Sequence, residues 1–120
     1  MLIHGIHVWA DPSYVKRIVR TLLENAMKYT PEGGRVTVRL SREGDRCMLE
    51  VSNTGEGIPE EDLKHVFDRF YRADSSRTRK GGFGLGLSIA QDLAMADDAE
   101  IKVSSVEGES ATFIAEWPIR

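Results

Sequence analysis

An α/β two-layer sandwich, a mixed sheet covered by helices on one face, is the fold this sequence predicts. Three observations lead there. Apolar residues recur at helical spacing from Val15 to Ala26 and again from Leu85 to Met95. Short segments alternate apolar and polar residues as half-buried strands do, notably Val36–Leu40 and Ala111–Trp117. The 120 residues hold neither an internal repeat nor a linker, which fits one domain around one core spanning residues 1–120.

The elements follow in order. Ile6-His-Val-Trp9 reads as a short strand ended by Asp11-Pro12. A helix comes next, with Asp11 or Ser13 as N-cap and Pro12 tolerated in its first turn. Its apolar stripe is Val15, Ile18, Val19, Leu22, Leu23 and Ala26, and Pro31 with Gly33-Gly34 stops it. Val36–Leu40 and Met48–Val51 form a hairpin across the turn Glu43-Gly-Asp45. Pro59-Glu-Glu-Asp-Leu is an acidic helix start, and this helix is expected to reach Phe67 or Phe70. Arg72 to Lys80 is polar and basic without apolar periodicity and reads as a mobile loop. Leu85 to Met95 is the last helix, and Ile101–Ser104 and Ala111–Trp117 are the last strands.

Composition narrows the function. A hydrophobic content of 41% and a charged content of 29% suit a chain that folds. The formal net charge of -3 argues against a nucleic-acid binder working by bulk electrostatics. The one cysteine, Cys47, excludes an internal disulfide and reads as a small core residue in a strand. No apolar run is long enough to span a bilayer and no signal peptide opens the chain, so the isolated domain is expected to be soluble, without direct membrane contact. Met1 lies almost directly before a strand pattern, which suits a domain cut from a longer polypeptide.

Chemistry concentrates between Asn53 and Leu87. Two glycine-rich stretches, Asn53-Thr-Gly-Glu-Gly-Ile-Pro59 and Gly81-Gly-Phe-Gly-Leu-Gly-Leu87, flank the aromatic and basic patch Phe67-Asp-Arg-Phe-Tyr-Arg72. Glycine is costly to order, and its concentration points to close approach of backbone to a ligand. For Gly55 and Gly57 a tight turn after a strand is the plainer alternative. Gly82, Gly84 and Gly86 precede a helix whose first amides offer unsatisfied donors to an anion, and Leu85, Gly86 and Leu87 are the expected donors. A glycine hinge serves a lid equally well, and both can hold. Asn25 supplies a hard oxygen suited to Mg2+, or is a helix-surface asparagine with no task. Lys28 offers a point charge for phosphate and Tyr29 a ring face for a base, although such a pair is usually solvated surface. The pattern suggests a phosphorylated, aromatic, metal-bound ligand: a nucleotide with Mg2+.

Four blocks in register, Leu22-Leu-x-Asn25-Ala-x-Lys-Tyr-Thr-Pro31, Gly55-x-Gly57-Ile-Pro59, Phe67-x-Arg-Phe-Tyr-Arg72 and Gly82-x-Gly84-Leu-Gly86-Leu87, resemble the catalytic ATP-binding domain of bacterial two-component sensor histidine kinases. That domain shares a superfamily with DNA gyrase, MutL and the large heat-shock chaperone. The resemblance runs from about Asp11 to Pro118. It implies a Bergerat-type ATP-binding fold with about five strands and about three helices. It implies that Asn25 holds Mg2+, that Asn25 and Lys28 serve phosphoryl transfer, and that Tyr29, Asn53, Gly55, Gly57 and Ile58 meet the adenine. Arg72 matches an arginine that helps hold the phosphates, with Arg77, Arg79 and Lys80 near it, and Thr112 matches a threonine near the adenine.

The chain departs from the pattern at three points. Asn53 stands where aspartate is usual, which keeps an acceptor but adds donors and drops the charge. Ala111 replaces a glycine. Thr21 stands where hydrolytic members carry a glutamate base and histidine kinases an asparagine. Lack of a hydrolytic base favours phosphoryl transfer over hydrolysis. None of His4, His7 and His65 lies in the family's acceptor motif. The resemblance therefore implies a separate dimerisation domain carrying the acceptor histidine, placed before Met1 in the parent, and a response regulator downstream. It also implies a cytoplasmic domain of a parent anchored in the cell membrane. Two alternatives stand beside it: a nucleotide-binding regulatory module with little catalysis, and a serine kinase of the anti-sigma-factor type.

Overall fold

The computed structural model describes residues 2–3, 6–8, 10–68 and 86–119. Helix α1, Pro12–Tyr29, starts where the sequence said it would. Asp11 is extended at the N-cap, and its Oδ1 accepts from the Ser13 backbone N–H at 2.8 Å and the Ser13 hydroxyl at 2.6 Å. Pro12 fills the first turn without loss, because amides there have no partner within the helix. Thr30 closes the helix in extended geometry, as a residue before proline prefers. Val15, Ile18, Thr21, Leu22 and Ala26 form the buried stripe.

The main sheet contains β3 (Val36–Glu43), β4 (Arg46–Thr54), β5 (Glu100–Val106) and β6 (Ser110–Pro118), ordered β3-β4-β6-β5. Every neighbouring pair in it is antiparallel. The class is the expected α+β sandwich, but among the described residues the main sheet has four strands rather than about five and is antiparallel throughout. The opening segment explains the difference. Strands β1 (Leu2–Ile3) and β2 (Ile6–His7) pair with each other, and among the described residues the bridge of Val8 to Ile119 joins that segment to the sheet.

One sheet face is inward. Cys47, Leu49, Val51 and Asn53 on β4 alternate with half-buried residues, as do Ala111, Phe113, Ala115 and Trp117 on β6. Helices α1 and α3 (Gly86–Ala96) cover this face, with Ile18, Leu22, Leu87 and Val66 fully enclosed. Each such side chain contributes about 1.5–3 kcal/mol by leaving water. Cys47 belongs to this core, and burial raises its thiol pKa. The outward face is polar, with Lys102 and Glu116 paired at 3.4 Å across β5 and β6.

The acidic helix is a correction. α2 covers only Glu60–Leu63 and does not reach Phe67. Beyond it the amides of His65 and Asp68 bond carbonyls three residues back, and the Asp68 carboxylate bonds His65 Nδ1 at 2.8 Å. These tight local turns replace the helical ladder. Among residues 60–68, Leu63, Val66 and Phe67 are the hydrophobic ones packed on the core, about one turn's worth for a helix to bury. At the end of α3, Asp98 takes φ +57°, and the Ala99 amide returns to the Ala94 carbonyl at 2.8 Å, closing the helix in the manner usually left to glycine.

Candidate functional site

The loop from Asn53 to Ile58 leaves the end of β4 and is clamped from two sides. On one side, the Thr54 amide bonds the Arg35 carbonyl at 2.9 Å, and the Thr54 hydroxyl accepts from the Arg35 amide at 2.8 Å. On the other, the Gly55 amide bonds the Glu109 carbonyl at 3.0 Å and the Gly108 amide bonds the Glu56 carbonyl at 2.6 Å. The Ile58 amide donates to Ser105 Oγ at 2.7 Å. The loop is therefore held between the start of β3 and the β5–β6 turn.

Both glycines of this loop are required by the protein itself. A Cβ at Gly57 would lie 2.7 Å from Ser105 Oγ, 2.8 Å from the Val106 carbonyl and 2.9 Å from the Ser110 carbonyl, and φ is +74°. A Cβ at Gly55 would lie 3.1 Å from the Tyr29 carbonyl and 3.3 Å from Pro31, at φ +149°. Close approach is thus real, and its partners include the end of α1 and the β5–β6 turn. Ile58 is buried in the core, so its side chain serves packing.

Asn53 is 5% exposed on the inward face, and its Nδ2 donates to the Thr54 carbonyl at 3.2 Å. Register sets Asn53 against Ala111, and Ala111 against Ser105. Asn53, Ala111 and Ser105 thus make one inward row across three strands at the foot of the loop. Thr112 is a correction. It pairs with Ser52 on the outward face, where the two hydroxyls bond at 2.9 Å. Strand alternation puts it on the far side of the sheet from Asn53, so the inward neighbour of Asn53 is Ala111.

Asn25 is half-buried on α1, and its Nδ2 donates to the Thr21 carbonyl at 2.9 Å. With the amide nitrogen tied to its own helix, Oδ1 remains the donor atom of that group, and no described residue bonds it. Among the described residues, no group of three or more His, Cys, Asp or Glu is placed to hold a metal ion. A cation here would rely on Asn25 Oδ1 and on oxygens carried by its ligand and water. Asn25 fits that demand, because a neutral carbonyl oxygen suits Mg2+ that keeps several waters and phosphate ligands.

Lys28 and Tyr29 close the far end of α1, with the Lys28 ammonium 5.5 Å from the centre of the Tyr29 ring. Lys28 is exposed and Tyr29 half-buried. Thr21 is 5% exposed, and its methyl would lie 3.5 Å from a Cβ at Gly86. The first residue of α3 therefore abuts α1 one turn from Asn25. Leu87 anchors α3 with a fully buried side chain. Arg72, Gly82, Gly84 and Leu85 lie outside the described residues, as do Arg77, Arg79 and Lys80.

The geometry thus brings Tyr29, Asn53 and Gly55 together where the end of α1 meets the first glycine loop, with Gly86 beside Thr21, one turn from Asn25. Sequence reading missed Ser105. Its signal was a polar residue at an inward position, two places beyond Val103 in a strand where Ile101 and Val103 face the core. No described helix is long and apolar enough to cross a membrane.

Comparison with known proteins gives consistent matches. The family described as histidine kinase-, DNA gyrase B-, and HSP90-like ATPase matches residues 10–120. Sensor histidine kinase WalK of Bacillus subtilis is 39% identical over 118 residues, which is 96% of this chain and 19% of that protein. Sensor histidine kinase RppB of Synechocystis is 37% identical over 115 residues, or 95% of this chain and 25% of that one. The chain thus spans about a fifth to a quarter of these relatives. Among solved structures, the mycobacterial sensor histidine kinase MprB superposes with a TM-score of 0.82 at 32% identity, covering 94% of this chain and 77% of that one. Full-length ShkA in complex with AMPPNP gives 0.79 at 30% identity, covering 93% and 23%.

Proposed function

Because the chain belongs to the histidine kinase-, DNA gyrase B-, and HSP90-like ATPase family, we propose that residues 1–120 are the catalytic domain of a sensor histidine kinase. The domain binds ATP with Mg2+ and donates the γ-phosphoryl group to a histidine on a separate dimerisation domain of the parent protein. A response regulator then receives the group. The domain works on the cytoplasmic side of a parent anchored in the cell membrane.

The observation that carries this reading is the disposition of Asn25. Its nitrogen is fixed to Thr21, which leaves the carbonyl oxygen for a ligand, and Thr21 itself abuts the start of α3. When bound, Mg2+ would supply charge neutralisation to the triphosphate, with Asn25 as the residue that would hold it. Asn25 and Lys28 orient the triphosphate, while the amides of Gly86 and Leu87 at the head of α3 present positive potential to it. Asn53 and Tyr29 hold the base, and Gly55 and Gly57 bring the loop main chain beside it. Arg72, Gly82, Gly84 and Leu85 complete the phosphate side. AMPPNP in the related ShkA structure supports a nucleotide as the ligand.

Thr21 cannot serve as a base, because its aliphatic hydroxyl is a poor proton acceptor and its side chain is buried. Phosphoryl transfer needs positioning and charge stabilisation more than a strong base, so the site suits transfer. The same observation favours a second reading, a nucleotide-binding module with little turnover.

Calorimetry with ATP, with and without Mg2+, tests binding, and Asn25→Ala is expected to abolish the Mg2+ dependence. Adding the parent's histidine domain separates the two readings: phosphohistidine supports the kinase, and binding without transfer supports the module. No uptake of ATP at millimolar concentration by folded protein overturns both.

A further inference from the structure

One side-chain hydroxyl joins the first glycine loop to the strands beneath it. Ser105 Oγ accepts from the Ile58 amide at 2.7 Å and donates to the Ser110 carbonyl at 2.9 Å. A hydroxyl has one proton to give and lone pairs to receive, so both bonds are satisfied at once. The other ties between this loop and the β5–β6 turn, Gly55 to Glu109 and Gly108 to Glu56, run from main chain to main chain and survive any side-chain change. Ser105 thus makes the height of Gly57 and Ile58 depend on a side-chain hydrogen bond.

The surroundings leave little choice of residue. The Cβ position of Gly57 is 2.7 Å from Ser105 Oγ, so the loop rests directly on the hydroxyl. Alanine at 105 would supply neither bond. Ser105 also shares its inward row with Asn53, separated only by the methyl of Ala111. Whatever fixes Gly57 relative to Ser105 therefore fixes it relative to Asn53. The row and the loop together form the wall and floor against which a base would lie.

We infer that Ser105 is a positioning residue for nucleotide recognition. It sets the spacing between the Gly55–Ile58 main chain and the Asn53 carboxamide, without touching the nucleotide itself. The inference rests on the proposed nucleotide site and adds a residue to it that none of the four sequence blocks contains.

The test uses the 120-residue chain with Ser105→Ala, Ser105→Cys and, as a control, Ser104→Ala on the exposed outward face. Three quantities are read: calorimetric affinity for ATP with Mg2+, urea midpoint without nucleotide, and amide exchange at Ile58. Ser105→Ala is expected to weaken affinity about five- to tenfold, the loss of one or two net hydrogen bonds, and to speed exchange at Ile58. Cysteine, a weak donor and acceptor of similar size, is expected to fall between, and Ser104→Ala to match the wild type. Should Ser105→Ala not fold, the cysteine variant carries the same criteria. The inference is overturned if affinity stays within about twofold of wild type while Ile58 exchange rises, or if lost affinity is fully accounted for by a larger unfolded fraction. If folded wild type takes up no nucleotide, the functional reading fails first, and the inference goes with it.

Discussion

Replacing Gly57 by alanine probes whether the first glycine loop is held by contact or only by backbone conformation. At φ +74° any L-residue other than glycine pays about 1–2 kcal/mol for the left-handed region. The added Cβ also meets three oxygens at 2.7, 2.8 and 2.9 Å, and two of them are main-chain carbonyls in β5 and β6 that cannot swing away. Overpacking of this kind adds about 1–3 kcal/mol. The sum, about 2–5 kcal/mol, lowers the urea midpoint by roughly 1–3 M for a domain of this size. Gly108→Ala is the matched control: its φ is +84°, yet nothing lies within 4 Å of a Cβ there. That variant carries the conformational cost alone, so the difference between the two variants is the contact term. If the loop relieves the clash by lifting from Ser105, the loss appears in ATP affinity instead of the urea midpoint. Equal behaviour of Gly57→Ala and Gly108→Ala in both measurements refutes the reasoning.

Two further predictions concern the base side of the site and the N-terminal cap of α1. Asn53→Asp turns the Nδ2 donor into an acceptor facing the Thr54 carbonyl at 3.2 Å, so nucleotide-free stability should fall by about 1–3 kcal/mol in urea while the ratio of ATP to GTP affinity rises; an unchanged ratio removes Asn53 from base recognition. Asp11→Ala should lower the thermal midpoint at neutral pH, and the gap to wild type should close as pH falls. The Ser13 hydroxyl and amide hold the Asp11 carboxyl below the usual carboxylate range. A lowered folded pKa gives stability above the unfolded value of about 3.9, lost as pH drops through the folded one. Asp97, whose carboxyl accepts the Asp11 amide, is raised chiefly by burial and works in the opposite sense, so a gap that widens in acid contradicts the capping account.

Much of this molecule is legible in the sequence alone. The cap at Asp11, the stripe from Val15 to Ala26 and the stop at Thr30-Pro31 are local signals, and local signals fix helix ends. Strand cores were equally plain, but each strand of the main sheet runs further than its pattern, as β4 does from Arg46 to Thr54, because ladder bonds from neighbours extend pairing past the alternating residues. The short α2 was not legible, since its acidic start is genuine and only the turn bonds at His65 and Asp68 end it. Thr112 was misplaced although its face was readable: Phe113 and Trp117 inward force residue 112 outward. The glycines were found but not their partners, because the spacing of Gly55 and Gly57 cannot say whether ligand or protein comes close. Ser105 shares that difficulty, since its worth lies in Ile58 and Ser110, distant or unremarkable in sequence.

The carboxamide of Gln91 bonds both main-chain groups of Ile101, taking the Ile101 amide at 3.2 Å and giving to its carbonyl at 3.1 Å. Since β5 is a border strand, this side chain stands where an intruding peptide would dock and so denies that margin to foreign chains. The opposite margin, β3, is guarded by charge instead, through Arg39 and Arg42. Gln91 belongs to α3, so the seal is also a tether: for that helix to slide along its axis it would have to release the border strand and leave the rim bare.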